Sequence, residues 1–134
     1  MKSIRVIAFD ADDTLWVNEP FFRETEGQFC NLVKSFASKA EAEAKLFEIE
    51  MKNLALYGYG VKGFTLSLVE TLGVLSKGKA EFELVNKTIE LGQAILHKPV
   101  ELLDEVEEVL QQLNGDYRLV MATKGDLLDQ ERKL

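Results

Sequence analysis

Apolar residues along the chain form two short unbroken runs near its ends and several helical stripes between them. Val6 to Phe9 contains no polar residue, the pattern of a strand buried on both faces of a parallel sheet, and predicts a strand over residues 4–9. Tyr117 to Ala122 reads as a second buried strand, delivered by a helix that ends at Asn114-Gly115. Between them, Asn18-Glu19-Pro20 opens a helix with Phe22, Phe29, Val33 and Phe36 along one face. Ser38 followed by Glu41 is a capping-box pattern for a second helix, in which Phe47, Met51 and Leu54 share a face. Tyr57-Gly58-Tyr59-Gly60 ends it. A third helix turns Val61, Phe64, Leu68 and Leu72 inward and stops near Gly73. A fourth carries Phe82, Val85, Ile89 and Leu96, with His97 and Lys98 where cations suit the negative helix end. From Pro99 onward, Val100, Leu103, Val106, Leu110 and Leu113 repeat at helical intervals, opposite a solvated acidic face of Glu101, Asp104, Glu105, Glu107 and Glu108.

Two strands separated by helices predict an α/β fold. The roughly eighty residues of helix between them far exceed an ordinary crossover of a dozen or more residues, so a helical unit has been inserted into the core. Four successive amphipathic helices pack on one another as a small bundle.

Composition narrows the partners. With 16 basic and 23 acidic residues the net charge is -7, which argues against nucleic acid and against anionic membrane surfaces. No apolar run reaches the ~20 residues of a membrane span, and Met1-Lys2-Ser3 leads straight into a strand, so a cytoplasmic location is the expectation. Cys30 stands alone, which excludes an internal disulfide, and is expected to pack as a small hydrophobe.

The chemistry concentrates where the first strand ends, in Asp10-Ala11-Asp12-Asp13-Thr14. Ligand crevices of open α/β sheets lie outside the carboxyl ends of strands. A carboxylate there can attack phosphorus to give an aspartyl-phosphate, and a neighbouring acid can protonate the leaving oxygen. Both acids also suit Mg²⁺, which takes a few carboxylate oxygens and keeps several waters. Acids after a strand can equally cap a turn or the next helix, but three of them with a hydroxyl after a buried run favour a site. The second strand repeats the logic: Thr123-Lys124-Gly125-Asp126 offers a hydroxyl and a glycine-containing turn whose backbone N–H groups can meet an anion. Gly58-Tyr59-Gly60-Val61-Lys62-Gly63 matches GxGxxG by letter, yet it follows a helix rather than a strand and reads as a flexible inter-helix turn. His97 is explained by its helix end and is not a catalytic candidate.

These residues resemble the haloacid dehalogenase-like hydrolase superfamily, whose first motif is DxDxT at the end of the first strand and whose second is a Thr or Ser after a later hydrophobic strand. The resemblance implies that Asp10 is the nucleophile and Asp12 the general acid and base. Mg²⁺ would be held by the Asp10 carboxylate and the Asp12 backbone carbonyl, and Thr123, with Lys124 beside it, would meet the phosphoryl group. Dehalogenases of the superfamily lack the second acid, so Asp12 points to phosphoryl transfer. The helical insertion looks like the cap that follows the first motif in such proteins, and cap loops often face the catalytic Asp, which makes Tyr59 and Lys62 candidate substrate contacts. The third-motif Lys and the fourth-motif acidic pair have no counterpart here: Lys124 adjoins the second motif, and Asp126 and Asp129 fall at a helix start.

The expectation is therefore a Rossmann-like core over 1–16 and 99–134, with a helical cap over 17–98. The expected function is a Mg²⁺-dependent phosphatase-type hydrolase acting on a small phosphate ester. The resemblance covers only the amino-terminal half of such a protein. Two strands alone make a marginal sheet with open edges, so a carboxyl-terminal half or another chain is expected to complete the core, and this chain by itself is expected to be inactive. The alternatives are a noncatalytic, phosphate-binding module and a phospho-accepting signalling domain.

Overall fold

The computed structural model describes residues 3–134. In chain order the elements are β1 (Val6–Phe9), α1 (Glu19–Leu32), α2 (Lys39–Tyr57), α3 (Val61–Leu75), α4 (Phe82–Leu96), α5 (Val106–Leu113), β2 (Arg118–Met121) and α6 (Leu127–Lys133). The fold is α/β. By spatial contact the chain divides into a core unit, Met1–Pro20 with Pro99–Lys124, and a helical unit, Phe21–Lys98 with Gly125–Leu134.

In the core unit β1 and β2 pair in parallel, with Val6 opposite Arg118, Ile7 opposite Leu119, Ala8 opposite Val120 and Phe9 opposite Met121. The ladder extends one step past each end, where Arg118 N–H donates to Arg5 O at 2.9 Å and Ala122 N–H to Phe9 O at 2.8 Å. The expected burial of β1 on both faces does not hold: Val6 is 52% exposed and Ala8 is exposed. Apolar residues of a two-stranded sheet have few neighbours to cover them. What cover exists gathers at the carboxyl end, where buried Ala11, Leu15 and Trp16 pack with Phe9, Val106 and Met121.

The return segment corrects the expected helix from Pro99. Residues 99–105 are not helical, and α5 begins only at Val106, after Glu105 adopts φ 66°. The segment pairs instead with the residues that leave β1. Leu103 N–H donates to Leu15 O at 3.0 Å, Val17 N–H donates to Glu101 O at 2.8 Å, and Trp16 bridges Leu102 in antiparallel fashion. Backbone pairing satisfied by this ribbon is not available to a helix.

The helical unit has its own core of Phe29, Cys30, Val33, Ala42, Leu46, Val61, Phe64, Leu68, Leu72 and Ile95. Ser38 caps α2 by accepting the Glu41 N–H at 3.2 Å, as the capping-box pattern predicts. The inward set of α3 is buried as expected, and Phe64 meets Phe22 edge-on at 5.0 Å between ring centroids. Burial pushes the Cys30 thiol up, and Cys30 packs in this core.

Three stripes differ. Phe36 follows the end of α1 in a turn and loses the phase of Phe29 and Val33, which leaves it exposed. In α2, Phe47 and Met51 are 62% and 51% exposed, while Ala42, Leu46, Ile49 and Asn53 face inward. Asn53 is tolerated there because its amide donates to Ser67 Oγ at 3.1 Å and Glu70 Oε2 at 2.7 Å. In α4, Phe82 at the first turn is 76% exposed, and the buried positions are Thr88, Gly92 and Ile95. Gly92 lets α4 approach α3 closely, since a Cβ there would collide with the Thr65 side chain. Gly73 does not stop α3, which continues to Leu75.

The glycine-containing turn between α2 and α3 is packed rather than loose. Gly60, at φ 131°, lies against Asp126, whose backbone N would be 2.9 Å from a Cβ at that position. The Asp126 carboxylate accepts the Lys62 N–H at 2.8 Å, so α3 is capped by a residue 64 positions away rather than by its own N-cap, Gly60. A further tie holds α6: Arg132 donates to Lys98 O at 2.8 Å, and within the helix it pairs with buried Asp129 at 2.8 Å.

Candidate functional site

The parallel register fixes where the candidate residues emerge. Asp10 follows Phe9 and Thr123 follows Ala122, and Phe9 and Ala122 are hydrogen-bonded neighbours, so the two side chains leave the same end of adjacent strands. Lys124 follows directly and is exposed. Thr123 Oγ1 donates to Lys124 O at a long 3.5 Å.

Between β1 and α1 the chain makes a tight turn. Thr14 and Leu15 N–H donate to Ala11 O at 3.1 and 2.8 Å, and Asp13 N–H donates to Trp16 O at 2.8 Å. Asp13 takes φ 60°, a left-handed conformation that Asp tolerates better than most residues. Ala11 is fully buried, so the turn is anchored in the apolar cluster while its acids stay near solvent.

Within this turn the three carboxylates have different partners. Asp10 is exposed, and its Oδ2 accepts from Thr14 Oγ1 at 3.1 Å. Asp12 is half-buried, and its Oδ1 accepts the Trp16 indole N–H at 2.9 Å. Asp13 Oδ1 accepts Asn18 N–H at 2.9 Å, and both its oxygens accept Glu19 N–H at 3.0 Å. Asp13 thus caps the start of α1, the ordinary structural use of such an acid. Trp16 and Asp13 were not singled out by the sequence as contributors to this turn. Their bonds depend on its geometry, and the only sequence signal was a polar-tipped aromatic four residues after an acid.

A divalent cation can be tested against these donors. Among the described residues there is no group of three His, Cys, Asp or Glu side chains able to hold a metal. Asp13 is committed to α1, which leaves the Asp10 carboxylate and backbone oxygens such as that of Asp12. This hard-oxygen set fits Mg²⁺, which is commonly held by one or two carboxylates with waters and substrate phosphate completing the shell, and does not suit a softer metal.

Tyr59 and Lys62 belong to the helical unit. Tyr59 is exposed, and the Lys62 backbone N–H is the group that Asp126 caps. Among the described residues no helix is long and apolar enough to cross a membrane.

Comparison with known proteins follows the same line. A family model described as haloacid dehalogenase-like hydrolase matches residues 4–134. Among solved structures, the chain is similar to a haloacid dehalogenase-like family hydrolase from Xanthomonas campestris, with 37% identity and a TM-score of 0.90. That match covers 97% of this chain and 55% of the other, so the chain spans about half the length of its structural relative. No curated protein matches it.

Proposed function

The chain belongs to the haloacid dehalogenase-like hydrolase family, and from that premise we propose that it supplies the nucleophile-bearing part of a Mg²⁺-dependent phosphohydrolase acting on a small phosphate ester. One observation carries the reading: Asp10, with a second acid two residues on, leaves the same end of the parallel pair as Thr123. A dehalogenase needs the first acid alone, whereas a leaving alkoxide needs a proton, and Asp12 is the group to give it.

In this reading the Asp10 carboxylate attacks phosphorus while Thr14 holds its Oδ2 by a hydrogen bond. Thr123 Oγ1 and backbone N–H groups of the turn at Thr123-Lys124-Gly125 bind the phosphoryl oxygens, and Lys124 adds positive charge on a chain of net charge -7. Bound at the Asp10 carboxylate and Asp12 carbonyl, Mg²⁺ would offset charge on the phosphoryl group. Residues 17–98 act as the cap, with Tyr59 and Lys62 contributing contacts that select the ester. Exposed apolar surface on β1, in a chain that spans about half the length of its structural relative, supports proposing this activity for a protein with a more complete core, and inactivity for these 134 residues alone.

The test is phosphate release from a panel of phosphate monoesters by the protein at its natural length, with and without Mg²⁺. Asp10→Asn should lower turnover by at least about three orders of magnitude, as loss of a covalent nucleophile does, while leaving the circular dichroism spectrum unchanged. Undiminished turnover by the variant contradicts the assignment. Tight phosphate binding without turnover by the unaltered protein would mark a binding module instead.

A further inference from the structure

Three glycines shape the α2–α3 turn, each for a different reason. Gly58 takes φ 70° as it ends α2, its N–H donating to Leu54 O at 2.9 Å. Gly63 leaves room for the Tyr57 side chain and Gly58 O, which a Cβ there would meet at 3.1 and 3.3 Å. Gly60 takes φ 131°, and a Cβ on it would lie 2.7 Å from Asp126 Cγ and 2.8 Å from Oδ2. Without that Cβ the carboxylate reaches the first turn of α3, where Oδ2 accepts the Lys62 N–H at 2.8 Å. Gly60 has no side chain with which to cap α3, so Asp126 supplies the acceptor. Asp126 is itself fixed: its carbonyl accepts the Gln130 N–H at 2.9 Å at the start of α6, and α6 is tied to Lys98 O through Arg132. All of these residues lie in the helical unit.

We propose that Asp126 is a positioning residue for ester selection, holding the turn that carries Tyr59 and Lys62 in one conformation so that the exposed Lys62 side chain is presented from a fixed backbone. The inference rests on the phosphohydrolase reading, in which this turn contacts the part of the ester beyond its phosphoryl group, and deepens it. A Lys side chain has several rotatable bonds, and a loose backbone beneath it adds further freedom that binding must remove. With the α3 amide capped, the backbone under Lys62 is ordered before the ester arrives, and the contact costs only the side chain's own freedom. Asp126 acts through Lys62 and takes no part in the bond changes at phosphorus.

Phosphate release by the protein at its natural length tests this on two donors. One is acetyl phosphate, which offers the turn little beyond its phosphoryl group. The other is the ester of highest kcat/KM among sugar phosphates, nucleoside monophosphates and phosphorylated hydroxy acids. Asp126→Ala should lower kcat/KM for that ester about 10-fold, the low end of what a single contact discriminates, through KM rather than kcat. On acetyl phosphate the change should be less than about 2-fold, since remote contacts are absent there. Asp126→Asn keeps an oxygen acceptor for the Lys62 N–H and should restore the ester to within about 2-fold of the parent. Equal losses on both donors, or an Asn variant as impaired as the Ala variant, overturn the proposal. Amide exchange supplies a measure that needs no variant. The Lys62 N–H of the unaltered protein should exchange at least about 10-fold slower than an unprotected amide, and exchange at the unprotected rate overturns the proposal even where Asp126→Ala fails to fold. The reading beneath it fails separately: Lys62→Ala with no effect on ester preference removes the cap contact, and an unaltered protein that hydrolyses neither donor removes the phosphohydrolase itself. Each is seen before Asp126 is altered, and each takes the proposal with it.

Discussion

The placement of Asp10 and Thr123 at one sheet end could be read from sequence because each terminates an apolar run, and a parallel pair brings such termini together whatever lies between them. The partners that orient the acids could not. Trp16 reaches Asp12, and Asp13 reaches the first amides of α1, only because the chain turns tightly after Ala11. Nor does anything in the sequence announce that Asp126 caps a helix whose first turn lies 64 residues earlier. Away from the turn, Glu50 has a marked environment. Burial, with the like charge of Glu26 adding to it, pushes the Glu50 carboxyl up from 4.5 to about 7. Because the folded state holds this proton more tightly than the unfolded chain, its stabilising effect is complete below about pH 4.5 and is lost as pH rises through about 7. After discounting for its partial exposure, about 1–2 kcal/mol is at stake. Urea unfolding at pH 5 and pH 8 should show that Glu50→Gln removes this part of the decline. An identical decline in variant and parent contradicts it.

At the scale of elements, existence and type were legible and faces were not. α2 carries two apolar stripes of similar period, Phe47-Met51-Leu54 and Ala42-Leu46-Ile49, and periodicity alone cannot choose between them. The larger side chains were the natural choice for the core, yet the smaller set faces it, joined by Asn53 with its hydrogen bonds to Ser67 and Glu70. Elsewhere in the unit a small residue sets a close helix contact, Gly92 of α4 lying against Thr65 of α3. The misplaced start of α5 has another cause. Residues Glu101 to Leu103 satisfy backbone groups of Leu15 to Val17, and long-range pairing of that kind overrides a local helical period. The two stripes of α2 make a sharp prediction. Leu46→Ala should cost about 2–5 kcal/mol, the range for a buried leucine, whereas Phe47→Ala should cost less than about 0.5 kcal/mol. Denaturant midpoints measured side by side decide it, and a larger loss at Phe47 than at Leu46 would reverse the facing of the helix.

For the whole molecule, a first strand and a second that follows roughly eighty residues of helix are the basis for expecting an inserted helical unit over 17–98. Contact grouping separates Phe21–Lys98, with the last ten residues, from the strand-bearing segments. The core unit holds the acids and Thr123. General acid, phosphate ligands and cap contacts all presuppose one event, transfer of a phosphoryl group to Asp10. That event is measured most directly by rapid acid quench of the protein at its natural length with a ³²P-labelled ester and Mg²⁺, followed by peptide mapping. The account predicts acid-stable, hydroxylamine-sensitive label on the peptide containing Asp10, and its loss in Asp10→Asn. Turnover of the ester with no protein-bound label, or with label on another residue, would contradict it.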